Sequence, residues 1–269
     1  MSQHDDFYQG GGLNAATYDD RMSSIGTPTE GDSEFFIAMA EELGGNVLEL
    51  GCGTGRVALA VADAIEARVV GLDLSESMLA RAEEKLSANA DLASRVRFVR
   101  GDMARFQLDE QFALIVIPFR SFQALLTVDD QRACLRCIRR HLAPGGRAVI
   151  DLFDPKLEFC VPNVDQTPKP RPGGLSSITG NQISVQVLSR VNDPVNQVLR
   201  EKWVFSEADA DGNVVAEDYE TLALRWTYRQ EMRHLFELEG FVVLAEYSDF
   251  HKSPPAYAKE MVWVVRAND

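Results

Sequence analysis

The chain has 269 residues, 45% of them hydrophobic and 25% charged, which is typical of one large globular domain or of a domain with an insertion. Its 27 basic and 41 acidic side chains give a formal net charge of −14. This charge repels nucleic acid and anionic membranes, so we expect neither as a partner. The chain shows no signal peptide and no apolar run that could span a bilayer, which predicts a cytoplasmic protein.

Residues 1–31 lack apolar periodicity and are predicted to form an N-terminal arm, with regular structure beginning near residue 32. From there helices and strands alternate. Helices are predicted at 32–43, 55–64, 76–86 and 128–142, and strands at 47–50, 67–72, 96–99, 112–118 and 148–153. Because parallel strands need crossover connections, this alternation predicts an α/β fold, a Rossmann-like and mostly parallel sheet with helices on both faces.

The pattern changes between residues 155 and 225. Several prolines predict an irregular connection, and apolar residues then recur with period two at 183–187, 199–205 and 222–226, which indicates half-buried antiparallel strands. We therefore expect a small antiparallel β insertion at 155–225 that serves as a substrate lid or an oligomer contact. A helix at 229–238 and strands at 241–247 and 260–266 complete the core, assigned to 32–154 and 226–269, with the last strand antiparallel.

The strongest motif is a glycine loop, ELGCGTG at residues 49–55, placed at the turn from the first strand to the next helix. Gly51, Gly53 and Gly55 permit positive φ and leave room for a ligand against the backbone. The loop lacks the Gly-Lys-Ser/Thr of a phosphate loop, and its third glycine comes one residue early for a dinucleotide loop. Glu49 suits a cationic ligand, although it could merely cap neighbouring amides.

Candidate ligand-binding residues also follow the next three strands. Asp73 ends the second strand, where a carboxylate can accept hydrogen bonds from both hydroxyls of a ribose. Asp102 and Met103 follow the third strand, and Pro118 follows the fourth. Because the carboxyl ends of parallel strands share one edge of the sheet, these residues predict a single ligand-binding crevice.

Residues 49–155 resemble a class I S-adenosyl-L-methionine-dependent methyltransferase. The resemblance rests on the ELGCGTG loop, on LDLS, on GDM and on LAPGGRAVIDLFDP, and it covers less than half of the chain. Residues 228–241 are similar to the penultimate helix and strand of small-molecule members, and the β insertion is similar to that of sugar N-methyltransferases. The resemblance implies S-adenosyl-L-methionine as the cofactor.

The resemblance also implies cofactor contacts. Tyr18 and Arg21 would reach the methionyl carboxylate, the three loop glycines the methionyl and ribose parts, Asp73 the ribose hydroxyls, Leu74 one face of adenine, and Asp102 with Met103 the adenine edge, with Pro118 in the same site. Leu74 and Met103 could instead be packing residues.

The acceptor site is predicted around the strand ends. The candidates for substrate binding are Tyr8, Phe119, Arg120, Phe122, Trp226 and Tyr228. Arg120 could recognise a carboxylate or phosphate, or could tie down its own loop. A sulfonium methyl is already activated, so transfer is an in-line displacement that needs positioning more than a strong base. His251 is the candidate base, although it could be a plain surface histidine.

Together these features predict a methyltransferase that acts on nitrogen or oxygen of a small metabolite. Two alternatives stay open: a non-catalytic module that binds the cofactor or its demethylated product, and an NAD-dependent oxidoreductase. The residues after the fourth strand lack the Asn/Asp-Pro-Pro-aromatic sequence of base-modifying enzymes. No carboxylates are arranged for a metal, so none is expected, and a homodimer is compatible with the insertion.

Overall fold

A computed structural model describes residues 7, 11–25, 30–157, 160–161 and 171–268, with only the backbone given for 23–25. The helices are α1 (Leu13–Ala16), α2 (Tyr18–Ile25), α3 (Asp32–Leu43), α4 (Arg56–Ala64), α5 (Glu76–Ser87), α6 (Val128–His141) and α7 (Arg229–Leu238). The strands are β1 (Val47–Leu50), β2 (Val69–Asp73), β3 (Val96–Arg100), β4 (Phe112–Ile117), β5 (Leu142–Phe153), β6 (Arg171–Leu175), β7 (Gln182–Asp193), β8 (Val198–Ala208), β9 (Val214–Arg225), β10 (Phe241–Tyr247) and β11 (Glu260–Ala267). Among these helices, none is both long and apolar enough to cross a membrane.

The large sheet confirms the predicted fold class. Its strand order is β10-β11-β5-β4-β1-β2-β3, and the five strands from β5 to β3 run parallel. Strand β11 is antiparallel to both of its neighbours, β5 and β10. The two last strands therefore pair as expected, with β10 at the edge. The parallel order brings the ends of β1, β2 and β4 side by side, which is what the predicted crevice requires.

Alternating side chains of β4 supply both cores of the large sheet. Ile115 and Ile117 belong to the cluster under α6 and α7, whereas Leu114 and Val116 belong to the cluster under α3 and α4. Since successive residues of a strand point to opposite faces, a continuous apolar run is the expected signature of a strand covered on both sides.

A second sheet of four antiparallel strands, in the order β6-β7-β8-β9, is formed by residues within the predicted insertion. Strand β6 was expected to be irregular because of its proline. The structure places it at the edge of the sheet, with a register shift between Pro172 and Gly174. A proline is tolerated there because an edge strand does not use every backbone amide. The division of the chain into arm, core and insertion remains a prediction.

The expectation that regular structure begins near residue 32 is wrong, since α1 and α2 precede it. These short helices are held by the second sheet. The backbone amide of Leu13 donates to Asp218 Oδ2 at 3.1 Å, and Asn14 Nδ2 donates to Glu220 Oε2 at 2.6 Å. Helices this short are marginal without such tertiary contacts, which local sequence periodicity does not reveal.

Replacing the core residue Trp263 by alanine should lower the free energy of unfolding by about 3–5 kcal/mol, because the side chain is large and fully buried. Its ring packs on Phe236, with 5.6 Å between the centroids. Urea unfolding followed by fluorescence or circular dichroism measures the loss. The control is Val195→Ala, at a side chain that is 88% exposed, and it should change stability by less than about 0.5 kcal/mol. Equal effects of the two substitutions would contradict this packing.

Candidate functional site

A cavity of about 600 Å³ lies between the carboxyl ends of β1, β2 and β4 and the second sheet. Its lining includes residues after β1, β2, β3 and β4, residues of α2 and of strands β7 to β9, and residues at the end of β5 and the start of β11. The predicted residues that line it are Tyr18, Arg21, Glu49, Gly51, Gly53, Asp73, Leu74, Asp102, Met103, Pro118, Phe119, Arg120 and Trp226. The structure thus brings most of the predicted site residues to one cavity, and their roles remain predictions.

Two predicted residues are buried outside the cavity lining. Gly55 starts α4 with φ of 74°, and a Cβ built on it would lie 2.7 Å from Phe98 Cζ. A glycine is therefore required at position 55 for packing beneath the loop, and the structure does not support a contact of Gly55 with the cofactor. Phe122 is fully buried in the core under α6 and α7, so its assignment to the substrate site is corrected to a core residue.

Tyr228 and His251 lie outside the lining as well. Tyr228 is the residue before α7 and is 38% exposed. His251 is exposed in the loop between β10 and β11, and a Cβ on Gly31 would lie 3.0 Å from its Cε1 atom. This location favours the interpretation of His251 as a surface histidine over that of a base. Tyr8 lies outside the described residues.

Asp73 organises the glycine loop. Its Oδ2 accepts the backbone N–H of Gly53 at 2.7 Å, and its Oδ1 accepts that of Ser75 at 2.8 Å. The amides of Gly51 and Cys52 donate to the carbonyl of Leu72 at 2.7 and 3.1 Å. The loop after β1 is therefore fastened to the end of β2, and burial raises the pKa of Asp73.

Glu49 is a buried acid of the lining with a raised pKa. It is only 3% exposed, and its Oε2 has no hydrogen-bond partner among the described residues. Burial raises its pKa to about 8, against the opposing effect of the Arg56 guanidinium. A buried carboxyl that lines a cavity with one oxygen unpartnered is suited to a cationic group of a ligand.

The turn after β4 is strained. Phe119 and Arg120 both have positive φ, 52° and 65°, which is rare for residues other than glycine. The buried carboxylate of Asp151 accepts their two backbone amides at 2.9 and 3.3 Å. Backbone strain of this kind persists only where surrounding contacts over-determine it. Asp151 thus fixes the direction in which the turn points.

Arg120 is held within the protein by Glu260. The guanidinium forms a two-point ion pair with this carboxylate, including an Nε to Oε2 distance of 3.2 Å, and lies 5.5 Å from the Phe153 ring centroid. Of the two interpretations of Arg120, the structure favours the one in which it ties down its loop. Burial, together with the nearby charge of Glu260, raises the pKa of Asp151 to about 8 against the opposing effect of Arg120.

The second sheet contributes an acidic group that sequence reasoning missed. Glu201 is 3% exposed and lines the cavity, and its carboxylate accepts from Arg190 Nε at 2.6 Å and from Trp203 Nε1 at 3.0 Å. The period-two pattern was the available signal, because it places Glu201 and Trp203 on the same face of β8. These side chains sit among the apolar residues Val185, Val187, Leu222 and Leu224.

Helix α2 joins the glycine loop to the second sheet. Asp19 accepts from Thr54 Oγ1 at 2.7 Å and from Lys85 Nζ at 3.1 Å, so it holds α2 against the loop. The adjacent Asp20 accepts the backbone amide and the hydroxyl of Ser177 at 3.0 and 3.1 Å. Arg21 lies between them and the sheet, with its guanidinium 4.7 Å from the Phe205 ring centroid.

Comparison with known sequences gives a match to a methyltransferase domain family over residues 47–146. The cypemycin N-terminal methyltransferase of a Streptomyces species is 35% identical over 136 residues, 51% of this chain and 53% of that protein. A dTDP-4-amino-2,3,4,6-tetradeoxy-D-glucose N,N-dimethyltransferase of Saccharopolyspora spinosa is 37% identical over 106 residues, 39% of each chain. The chain thus spans about half the length, or less, of these curated relatives.

Among solved structures, the CcbJ methyltransferase of Streptomyces caelestis is similar over nearly the whole chain. The two superpose with a TM-score of 0.77 at 25% identity, and the match covers 98% of each. The similarity therefore extends beyond the family match at residues 47–146 and includes the second sheet. These comparisons confirm the family resemblance expected from residues 49–155.

Substituting Gly55 and Gly53 by alanine should have different effects on stability. Gly55→Ala combines the cost of a left-handed residue with a clash against Phe98 and should lower the free energy of unfolding by about 2–4 kcal/mol. Gly53→Ala meets no atom within 4 Å and should cost only the backbone term, about 1–2 kcal/mol. Chemical denaturation of both variants measures the difference. A larger loss for Gly53→Ala would contradict the packing described for Gly55.

Substituting Asp19 by alanine should loosen α2 with little effect on the rest of the protein. The Asp19–Lys85 ion pair is about one-third exposed, so its loss should lower the free energy of unfolding by about 1 kcal/mol or less. Amide hydrogen exchange of residues 18–22 should nevertheless become faster, since Asp19 supplies the bonds of this helix to Thr54 and Lys85. Asp63→Ala, at an exposed position of α4, is the control. Unchanged exchange in the Asp19 variant would show that the anchor lies elsewhere.

Proposed function

We propose that this chain, which matches a methyltransferase domain family over residues 47–146, transfers a methyl group from S-adenosyl-L-methionine to a nitrogen or oxygen atom of a small molecule. The acceptor binds in the cavity between the two sheets. The observation that carries the proposal is the position of that cavity, at the carboxyl ends of β1, β2 and β4 and directly against the glycine loop. The alternatives of a non-catalytic module and of an oxidoreductase have no observation in their favour.

The cavity residues fit the cofactor. Gly53 leaves open space where a Cβ would stand, so its backbone is accessible to a ligand. Glu49 offers an unpartnered carboxyl oxygen for the cofactor's ammonium group, and Asp73 offers a carboxylate for the ribose hydroxyls. Leu74 and Met103 supply apolar contacts for the adenine. When bound there, S-adenosyl-L-methionine supplies a methyl group that its sulfonium has already activated.

The second sheet holds the acceptor and excludes water. Val185, Val187, Leu222 and Leu224 give its cavity face an apolar character, and the Arg190–Glu201 pair with Trp203 adds fixed polar groups. Such a lining orients a small polar molecule, which is the main contribution that an in-line displacement requires.

The described part of the lining favours nitrogen as the acceptor atom. It contains no histidine. Among its acids, Glu201 and Glu260 are paired with arginines and Asp154 accepts the backbone amide of Ala258, while Glu49, Asp73 and Asp102 are assigned to the cofactor. A hydroxyl would need a base to remove its proton, whereas the neutral fraction of an amine is nucleophilic without one. Of the two curated relatives described above, one is named an N-terminal methyltransferase and the other an N,N-dimethyltransferase of an amino sugar nucleotide, which supports the same choice.

Four further features belong to this proposal. The chain is organised as an arm at 1–31, a core at 32–154 and 226–269, and an insertion at 155–225 that covers the acceptor. The net charge of −14 supports a protein without nucleic acid partners. The protein acts in the cytoplasm, and it forms a homodimer.

Replacing Asp73 by asparagine should weaken cofactor binding by about 1.5–3 kcal/mol, the scale of hydrogen bonds to a charged group. Calorimetric titration with S-adenosyl-L-homocysteine measures the affinity without turnover. Asp63→Asn removes a carboxylate from the exposed side of α4 and should bind as the wild type does. Equal affinities of all three proteins would remove Asp73 from the site.

The activity itself is tested with cofactor labelled in its methyl group and a panel of amino sugars, other amines and matched hydroxyl compounds. We expect label to appear in an amine. Trp203→Ala should raise KM for that amine more than it lowers kcat, because the ring belongs to the acceptor wall and not to the glycine loop. Tight cofactor binding without transfer to any amine or hydroxyl would count against the proposal.

A further inference from the structure

The burial of Glu49 links the charge of its carboxyl group to the binding of a cation. It lies in β1, lines the cavity and is 3% exposed, and its Oε2 accepts no hydrogen bond from the described residues. An ionised carboxylate with one oxygen unpartnered in such a place is costly. The group is therefore more stable as the neutral acid until a ligand brings a positive charge next to it.

Charged and polar groups of α3, α4 and β2 surround Glu49. In α4, the Arg56 guanidinium and the backbone amide of Ala58 favour the ionised form. The carboxylates of Asp73 in β2 and Asp32 in α3 oppose it. The charge of Arg56 is offset by Asp32, to which its Nη1 donates at 2.8 Å. Burial and the two acids outweigh the rest, so the pKa of Glu49 is raised to about 8.

We propose that Glu49 carries a proton in the free protein at neutral pH and releases it to solvent when the ammonium group of the cofactor enters the cavity. The O–H bond of the carboxyl breaks, the proton passes to buffer, and the carboxylate forms an ion pair with the ligand's ammonium. This inference rests on the proposed function, since it requires a ligand that bears an amino acid.

A ligand-linked proton makes affinity depend on pH in a defined direction. The free protein binds more protons than the complex, so affinity increases with pH below the pKa of about 8 and levels off near it. The increase approaches tenfold for each pH unit. A nucleoside without the amino acid should show no such dependence, because it brings no cation to Glu49.

The experiment is calorimetric titration of the full chain at pH 6, 7 and 8, in two buffers of different ionisation enthalpy. The ligands are S-adenosyl-L-homocysteine and 5′-methylthioadenosine, which lacks the ammonium and carboxylate groups. With the first ligand, we expect affinity to rise about tenfold from pH 6 to 7, with nearly one proton released at pH 7. With the second ligand, affinity should be the same at each pH and no proton should be released.

Two variants locate the proton. Glu49→Gln keeps the size of the side chain but cannot ionise, so its affinity for S-adenosyl-L-homocysteine should be independent of pH and below that of the wild type at pH 8. Glu66→Gln, at an exposed position before β2, should behave as the wild type. If Glu49→Gln does not fold, the comparison of the two ligands on the wild-type protein still tests whether proton release depends on the ligand's ammonium group.

The outcomes separate this inference from the proposed function. Binding of S-adenosyl-L-homocysteine with the same affinity at all three pH values and no proton release would overturn the inference and leave the function standing. Proton release that persists in Glu49→Gln would also overturn it. Absence of binding by either ligand to the wild-type protein would overturn both.

Discussion

The hydrogen bonds of Asp73 are the interaction on which the site depends. One carboxylate accepts the amide of Gly53 from the loop after β1 and that of Ser75 at the start of α5, so two crossover connections are fixed relative to each other at the edge of the sheet. Parallel pairing of β1 with β2 makes this possible, because it brings their ends side by side. The other cavity contributions, from the turn after β4 and from the second sheet, are arranged around this fixed point.

Carboxylates also set the electrostatic character of the cavity. In a chain of net charge −14, several acids near the cavity are held by specific donors: Asp151 by the amides of Phe119 and Arg120, Glu201 by Arg190 and Trp203, and Glu260 by Arg120. Glu49 differs because one of its oxygens lacks a donor among the described residues. The acids that hold the walls in place are thus distinct from Glu49, which lines the cavity with one oxygen unpartnered.

Local sequence patterns predicted the structural features that are determined by residues close together in the sequence. Apolar periodicity and the placement of glycines correctly predicted the parallel sheet. The rule that ligands bind at the carboxyl ends of parallel strands correctly predicted that Gly53, Asp73 and Met103 line one cavity. The same patterns could not show that Gly55 packs on Phe98, since that contact depends on the pairing of β2 with β3. Helices α1 and α2 were missed because their stability comes from β9 and from residues near β6, which lie far away in the sequence.

Asp19 and Asp20 are consecutive residues, yet one is bonded to the glycine loop and the other to Ser177 beside the second sheet. Grafting the second sheet of a relative onto this chain, as one would do to alter acceptor choice, would therefore replace the Ser177 partner of α2 and leave its Thr54 partner unchanged. A chimera that retains the native N-terminal helices needs a hydroxyl residue with a free backbone amide at the position of Ser177. The natural unit of exchange is thus the second sheet together with residues 11–25.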